Sequence, residues 1–174
     1  EHDGVLTLVL DNGDGALTSL ATSRAVLSAR LDLALGYQTS AGIETSPQPQ
    51  RWVTGIASTW SRGRQLVTLS AHDGWQLLSL WRPRRQYSFG PSLGLAARTV
   101  DQLIAWLLMR AGVEYSSTAT SPLRSRTPEF QIAPGRDGHA AMLELLDTIE
   151  GWLLLTATGA TVIPLSPSDP VCYS

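Results

Sequence analysis

His72 and Asp73 stand side by side at the end of an apolar run, where a catalytic base and its orienting carboxylate could meet a nucleophile. The dyad needs a partner, and although the sequence is rich in serine, no G-x-S-x-G elbow singles one out. Asp73 also precedes Gly-Trp-Gln, so its carboxylate can cap a short helix. The capping role is the better reading. Asp11-Asn12-Gly13-Asp14-Gly15 has the acidic, glycine-bearing look of a calcium loop. Setting Gly15 at the loop's central glycine puts Leu10 and Ala21 at the first and twelfth ligand positions, where oxygen donors are required, so a turn is expected instead. Glu144, Asp147 and Glu150 fall together on one side of a helical stretch, opposite its apolar stripe, and read as its wet face rather than an acid–base pair.

The one concentrated basic and aromatic stretch is Trp81-Arg-Pro-Arg-Arg-Gln-Tyr-Ser-Phe89. Arginines interleaved with aromatic rings can hold single-stranded nucleic acid by charge and stacking, or form the anchors of a protein interface. The net charge of −2 disfavours the first use. Arg82, Arg84, Arg85, Tyr87 and Phe89 are therefore the candidate interface residues. Pro83, Pro91, Gly90 and Gly94 break the backbone pattern, which predicts that the stretch is a mobile loop.

Composition narrows the chemistry further. All 13 basic residues are arginine, which removes lysine-dependent phosphate loops and Schiff-base mechanisms. A single cysteine, Cys172, leaves no intrachain disulfide or multi-cysteine zinc site, and the three histidines are widely spaced. The sequence thus points to no catalytic, cofactor-binding or metal-binding residues, and to a protein that is not an enzyme. No apolar run approaches the ~20 residues of a membrane span, and no signal peptide opens the chain. It begins at Glu1 directly on strand-like sequence, which reads as a processed chain or a piece of a longer protein.

These residues must be positioned by two kinds of element. The first half reads as strands: Val5–Leu10; Arg30–Leu35, with Leu31, Leu33 and Leu35 on one face; and a hairpin of Trp52–Trp60 and Arg64–Ser70 about Ser61-Arg62-Gly63. A loop is expected over Gln38–Gln50. The second half changes to helical period. Thr99-Val-Asp-Gln102 is a capping box ahead of Val100, Leu103, Ile104, Leu107 and Leu108, with Gly112 at the stop. A second helix is expected from about Gly138 to Glu150, a strand at Glu129–Ile132, and a hairpin of Trp152–Ala157 and Ala160–Leu165 about Thr158-Gly159. The fold class is α+β, a β-barrel-like strand-rich unit over 1–95 followed by a small α+β unit over 96–174 with two helices and a hairpin.

The order of these pieces resembles the baseplate hub family of phage-type tails, which includes late-control D-type tail proteins and the hubs of contractile injection systems. Leu31-Asp-Leu-Ala-Leu-Gly-Tyr-Gln-Thr-Ser40 is similar to the strand-then-Gly-Tyr segment of those proteins. Pro47, Pro49 and the Trp52–Ser70 hairpin follow in the family's order, then Leu69-Ser-Ala-His-Asp-Gly-Trp-Gln-Leu-Leu78, the Thr99–Gly112 helix, and the strand, helix and hairpin of Glu129–Leu165. The resemblance runs from about residue 5 to 165, and its specificity lies in the order of motifs rather than in any one. It implies a structural subunit that acts by protein–protein assembly with other tail or baseplate subunits, as a homotrimer in the full assembly. It also implies a place in the virion tail or injection particle, assembled in the bacterial cytoplasm, with no nucleic acid, membrane span or cofactor. Two parts of the family pattern are missing, a second barrel and a spike segment. From the residues alone a second reading stands beside it: a β-rich carbohydrate- or ligand-binding module, for which the six tryptophans would supply stacking platforms. A serine hydrolase without an elbow motif is a third, and a minor one.

Overall fold

The computed structural model describes residues 4–23, 26–90, 92, 96–118 and 120–165. The chain divides into two compact units, Glu1–Gln76 and Leu77–Ser174, and the fold is α+β.

The first unit is built on a four-stranded antiparallel sheet, curled into a half-barrel. In order across the sheet its strands are β1 (Leu6–Asp11), β6 (Arg64–His72), β5 (Arg51–Ser61) and β2 (Arg30–Leu31). Leu8 and Leu10 of β1 alternate with exposed Thr7 and Val9, and their partners across the ladder are Leu69 and Val67. Val53, Val67 and Leu69 form the buried centre. Leu17, Leu20 and Ala21, from the short helix α1 (Thr18–Thr22) and its approach, pack on it. The β5–β6 hairpin turns on Arg62-Gly63, both at positive φ (49° and 78°), the mirror-image turn that matches the twist of paired strands.

A register shift between Val53 and Gly55 leaves Thr54 as the extra residue of a bulge. This is why Val53 and Ile56, an odd number apart, both pack on the same core. It also separates Trp52 from Trp60. The sequence gives them one parity, but the bulge turns them to opposite faces, and Trp52 is buried while Trp60 is 75% exposed.

Two expectations for this unit are corrected. Arg30–Leu35 is not one strand: β2 ends at Leu31, and β3 (Ala34–Thr39) resumes in a separate two-stranded sheet with β4 (Gly42–Pro47). Leu31 and Leu33 are half-buried, but Leu35 is exposed. Most of the expected Gln38–Gln50 loop is therefore the second half of this hairpin, paired from Ala34↔Pro47 to Thr39↔Gly42. Gly42 adopts a φ of 133°, open only to glycine without strain, and Pro47 closes the last pair, where its missing N–H does no harm.

The chain passes between units within α2 (Gly74–Leu80). The second unit packs α3 (Val100–Ala111) against α4 (Ser121–Ser125) and α5 (Gly138–Asp147). Its strands are β7 (Tyr87–Phe89) paired with β8 (Phe130–Ile132), and the hairpin of β9 (Gly151–Thr156) with β10 (Gly159–Pro164). The capping box of α3 is formed as expected, and Gly112 closes the helix in the left-handed conformation. Leu103, Ile104, Leu107 and Leu108 are fully buried with Phe130, Met142 and Leu145. Asp137 caps α5 through Ala140 N–H (2.7 Å). That helix ends at Asp147, three residues short of the expected end, and Glu150 takes a left-handed turn (φ 49°) into β9. The final hairpin turns on Ala157-Thr158.

Candidate functional site

Of the polar residues that invited catalytic readings, Asp73 is engaged in structure, whereas the buried Nδ1 of His72 has no hydrogen-bond partner among the described residues. Asp73 is 6% exposed. Its Oδ1 accepts from the backbone N–H groups of Trp75 (3.1 Å) and Gln76 (3.3 Å), capping α2. Its Oδ2 accepts from Gly4 N–H (3.1 Å) and lies 3.4 Å from Arg51 Nη1, which also donates to the Gly4 carbonyl. The carboxylate is thus committed to four groups, none of them the neighbouring His72. In the suspected calcium loop, Asn12 is 2% exposed and bridges Gln65 (2.7 Å), Thr18 (3.1 Å) and Leu17 N–H. Asp11 and Asp14 accept from Gly13 and Ala16 N–H in turns of their own. Among the described residues no group of three metal-ligating side chains converges. Glu144 pairs with Arg136 at 2.6 Å on the wet side of α5.

The candidate interface stretch is more ordered than expected. Tyr87 and Phe89 are not on an untethered loop: they form β7, paired to Ile132 and Phe130 of β8. Both rings pack on Trp106 of α3, with centroids at 4.9 and 5.3 Å, and Trp81 closes the group at 5.9 Å, edge to face. Arginines ring this cluster. Arg85 lies over Tyr87 (5.2 Å), Arg98 over Phe89 (5.1 Å) and Arg110 over Trp106 (5.7 Å), each within cation–π range. Arg82 reaches Asp137 (3.7 Å) and the Gly135 carbonyl (3.2 Å), while Arg84 and Arg85 are exposed. The structure thus brings the five candidates onto one strand and its approach, with the rings half-buried and the guanidinium groups outward. Beside β7, Glu129 accepts from Ser92 N–H (2.9 Å), and hydrogen bonding from the Ser92 side chain first, then from its backbone N–H, holds the carboxyl below the ordinary range.

Sequence reasoning missed a second surface. In β9–β10 the inward residues Leu153 and Val162 are buried, as an amphipathic hairpin requires. The outward face, which should be polar, carries Trp152 (63% exposed) directly across from Ile163 (47%), with Leu154 and Leu165 beside them. Alternation of this kind was visible, but both faces are apolar, so the pattern did not say which was wet. Nearby, Tyr115 OH donates to Asp101 Oδ1 (2.7 Å). Burial first, then the Asp101 hydrogen bond and charge, hold its proton far above the ordinary tyrosine value.

No protein-family model matches the sequence, and no curated protein does. The fold does have solved counterparts. A tail protein from Neisseria meningitidis MC58 matches 97% of this chain and 48% of its own at a TM-score of 0.50 and 14% identity. The 43 kDa tail protein of prophage MuSo2 from Shewanella oneidensis matches 95% of this chain and 52% of its own, at 0.49 and 13%. The chain spans about half the length of these tail proteins, and it is structurally similar to them.

Proposed function

We propose that this chain is a structural subunit of a phage-type tail, placed at the baseplate hub and acting by assembly with other tail subunits rather than by catalysis. The observation that carries this reading is the outward face of β9–β10, where Trp152, Leu154, Ile163 and Leu165 stand exposed together. A contiguous apolar face on a structured hairpin is a surface made to be covered. The arginines around the Trp106 cluster supply a second contact area, with Arg82, Arg84 and Arg85 reaching outward from a rigid aromatic base. Such arginine and aromatic groups dominate interface energetics once water is excluded. The fold shared with a bacterial tail protein supports the same direction.

A carbohydrate module would need exposed rings flanked by polar groups that orient hydroxyls. Trp152 has Leu154 and Ile163 beside it instead, and exposed Trp60 belongs to the other unit. Protein is the better partner for this face.

Immunogold labelling of tail particles from the producing organism tests the reading. Antibody to this chain should decorate one end of the particle, and the double variant Trp152→Glu, Ile163→Glu should fold yet fail to incorporate. Label along the whole tube would reject the hub placement, and unlabelled particles would reject the tail role.

A further inference from the structure

Three guanidinium groups converge on the aromatic cluster of the second unit. Arg85 lies over Tyr87, Arg98 over Phe89 and Arg110 over Trp106, and both strand rings pack on Trp106 in turn. Among the described residues none of these three arginines makes an ion pair. Elsewhere in the unit the same side chain is tied down: Arg82 by Asp137, Arg136 by Glu144, and Arg126 by the Thr148 carbonyl. Asp101 of α3 and Glu129 next to β8 accept from Tyr115 and Ser92 instead.

A guanidinium seated over a ring has one face covered, while the N–H groups at its edge stay open to an acceptor. The ring also limits its rotamers, so less freedom is lost when the fork closes on a carboxylate. Beside the cluster lies a groove of about 550 Å³. Gln102, Ala105 and Trp106 line it from one face of α3, and Ala96, Ala97 and Arg98 from the approach to that helix. No acidic side chain lines it.

We propose that this surface takes an acidic segment of a partner protein, with carboxylates on the forks of Arg85, Arg98 and Arg110 and an adjoining apolar side chain in the groove. Charge complementarity argues for this occupant: three cations without a carboxylate border a largely apolar hollow that has no negative charge of its own. Single-stranded nucleic acid also brings anions, but it binds by laying bases on open rings. Here Trp106 is buried, and the half-buried Tyr87 and Phe89 rings each carry a guanidinium and pack on Trp106, so they offer no open platform. The inference rests on the assembly reading above and gives its second contact area a partner chemistry.

Fluorescence anisotropy of the purified chain tests it, with a short labelled peptide of alternating glutamate and leucine as the probe. The glutamine–leucine peptide and a labelled oligothymidylate are the comparisons. The glutamate peptide should bind saturably, at least ~10-fold more tightly than either, because charge-assisted forks carry the contact. Arg85→Gln with Arg110→Gln should weaken that binding at least ~10-fold while the melting temperature holds, since both side chains are exposed. Arg62→Gln with Arg124→Gln removes the same charge outside the cluster and should change the affinity by less than ~2-fold, distant charges being screened. No saturable binding, an equal loss in both double variants, or tighter binding of the oligothymidylate would overturn the proposal. So would self-association in sedimentation that Arg85→Gln with Arg110→Gln abolishes, since a second copy would then occupy the surface. Tail particles separate this inference from the reading it rests on. A chain that incorporates but binds no acidic peptide rejects the inference alone, whereas one that binds the peptide through Arg85 and Arg110 yet is absent from particles rejects only the tail role.

Discussion

Asp73→Ala is the substitution whose cost the structure defines best. The change leaves two cap N–H groups of α2, the Gly4 N–H and the Arg51 guanidinium without their acceptor. Loss of a helix cap costs about 1 kcal/mol. Breaking a buried ion pair by removing one partner costs about 3–5 kcal/mol. Two features place this pair at the low end: the Arg51 side chain is 21% exposed, and it keeps its bond to the Gly4 carbonyl. Together they give about 3–4 kcal/mol for Asp73→Ala. Asp73→Asn keeps an acceptor for the cap but turns an amide donor toward Gly4 and Arg51, so about 2–3 kcal/mol is expected. Pairing Asp73→Ala with Arg51→Met should recover part of the loss, with a coupling energy of about 1–2 kcal/mol. Urea denaturation followed by tryptophan emission and circular dichroism measures the parent, Asp73→Ala, Asp73→Asn, Arg51→Met and the double variant. A loss below about 1 kcal/mol for Asp73→Ala would refute the reasoning, since a carboxylate that carries four partners cannot be silent.

Tyr115→Phe removes the bond to Asp101 and should cost about 1–2 kcal/mol at neutral pH. The Tyr115 proton is held above its ordinary value. Its stabilisation is therefore fully present below the unfolded tyrosine pKa and declines as pH rises toward the folded one, and alkaline melts of the Phe variant should lack that decline. The triple change Arg82→Ala, Arg84→Ala, Arg85→Ala should lower stability by no more than about 1 kcal/mol, because the Arg82–Asp137 pair is solvated and the other two heads are exposed. A larger loss would make these arginines part of the fold rather than a contact surface. Gly159→Ala forces φ 134° on a residue with a side chain and drives its Cβ to 2.6 Å from the Glu114 carbonyl. A loss of about 2–3 kcal/mol in thermal unfolding is expected.

What could be read beforehand follows from the range of the forces involved. The cap of α3 at Thr99 and Gln102, its stop at Gly112 and the Asp73 cap are decided within four residues, so the sequence displays them whole. The β5–β6 turn is equally local. Pairing across distance is different. Ala34–Pro47 looked like a strand end and a loop because Pro47 and Pro49 are loop residues by composition, whereas the ladder of β3 with β4 tolerates a proline at its last rung. Tyr87-Ser-Phe89 is too short to show a period, and its pairing with Phe130 and edge-to-face packing on Trp106 come from residues further along the chain. The bulge at Thr54 has no signature of its own, yet it turns Trp60 to the face opposite Trp52.

On the helices the solvent side is mostly polar, with Gln102 and Arg110 on α3 and Glu144 and Asp147 on α5, beside single exposed apolar residues, Leu80 on α2, Met109 on α3 and Leu143 on α5. On the hairpins it is not. Leu35, Tyr37 and Ile43 stand out on β3–β4, Trp60 on β5, and Trp152, Leu154 and Ile163 on β9–β10. Helices satisfy their own backbone, so a wet helix face needs only polar side chains. A two-stranded hairpin such as β3–β4 leaves one edge of each strand unpaired and is marginal alone in water, whereas the outer edge of β10 is met at Ala160 by the backbone of Glu114 and Ser116. Hairpins that are both apolar and open-edged therefore gain twice from being covered, once through side chains and once through backbone. Hydrogen exchange should reveal this arrangement: in the isolated chain, amides of β3–β4 should exchange far faster than those of α3. Incorporation into an assembly should slow the hairpins while leaving α3 unchanged. Equal protection of β3–β4 and α3 in the free chain would mean that the hairpin is stable by itself, and its exposed residues would then give no reason to expect a partner.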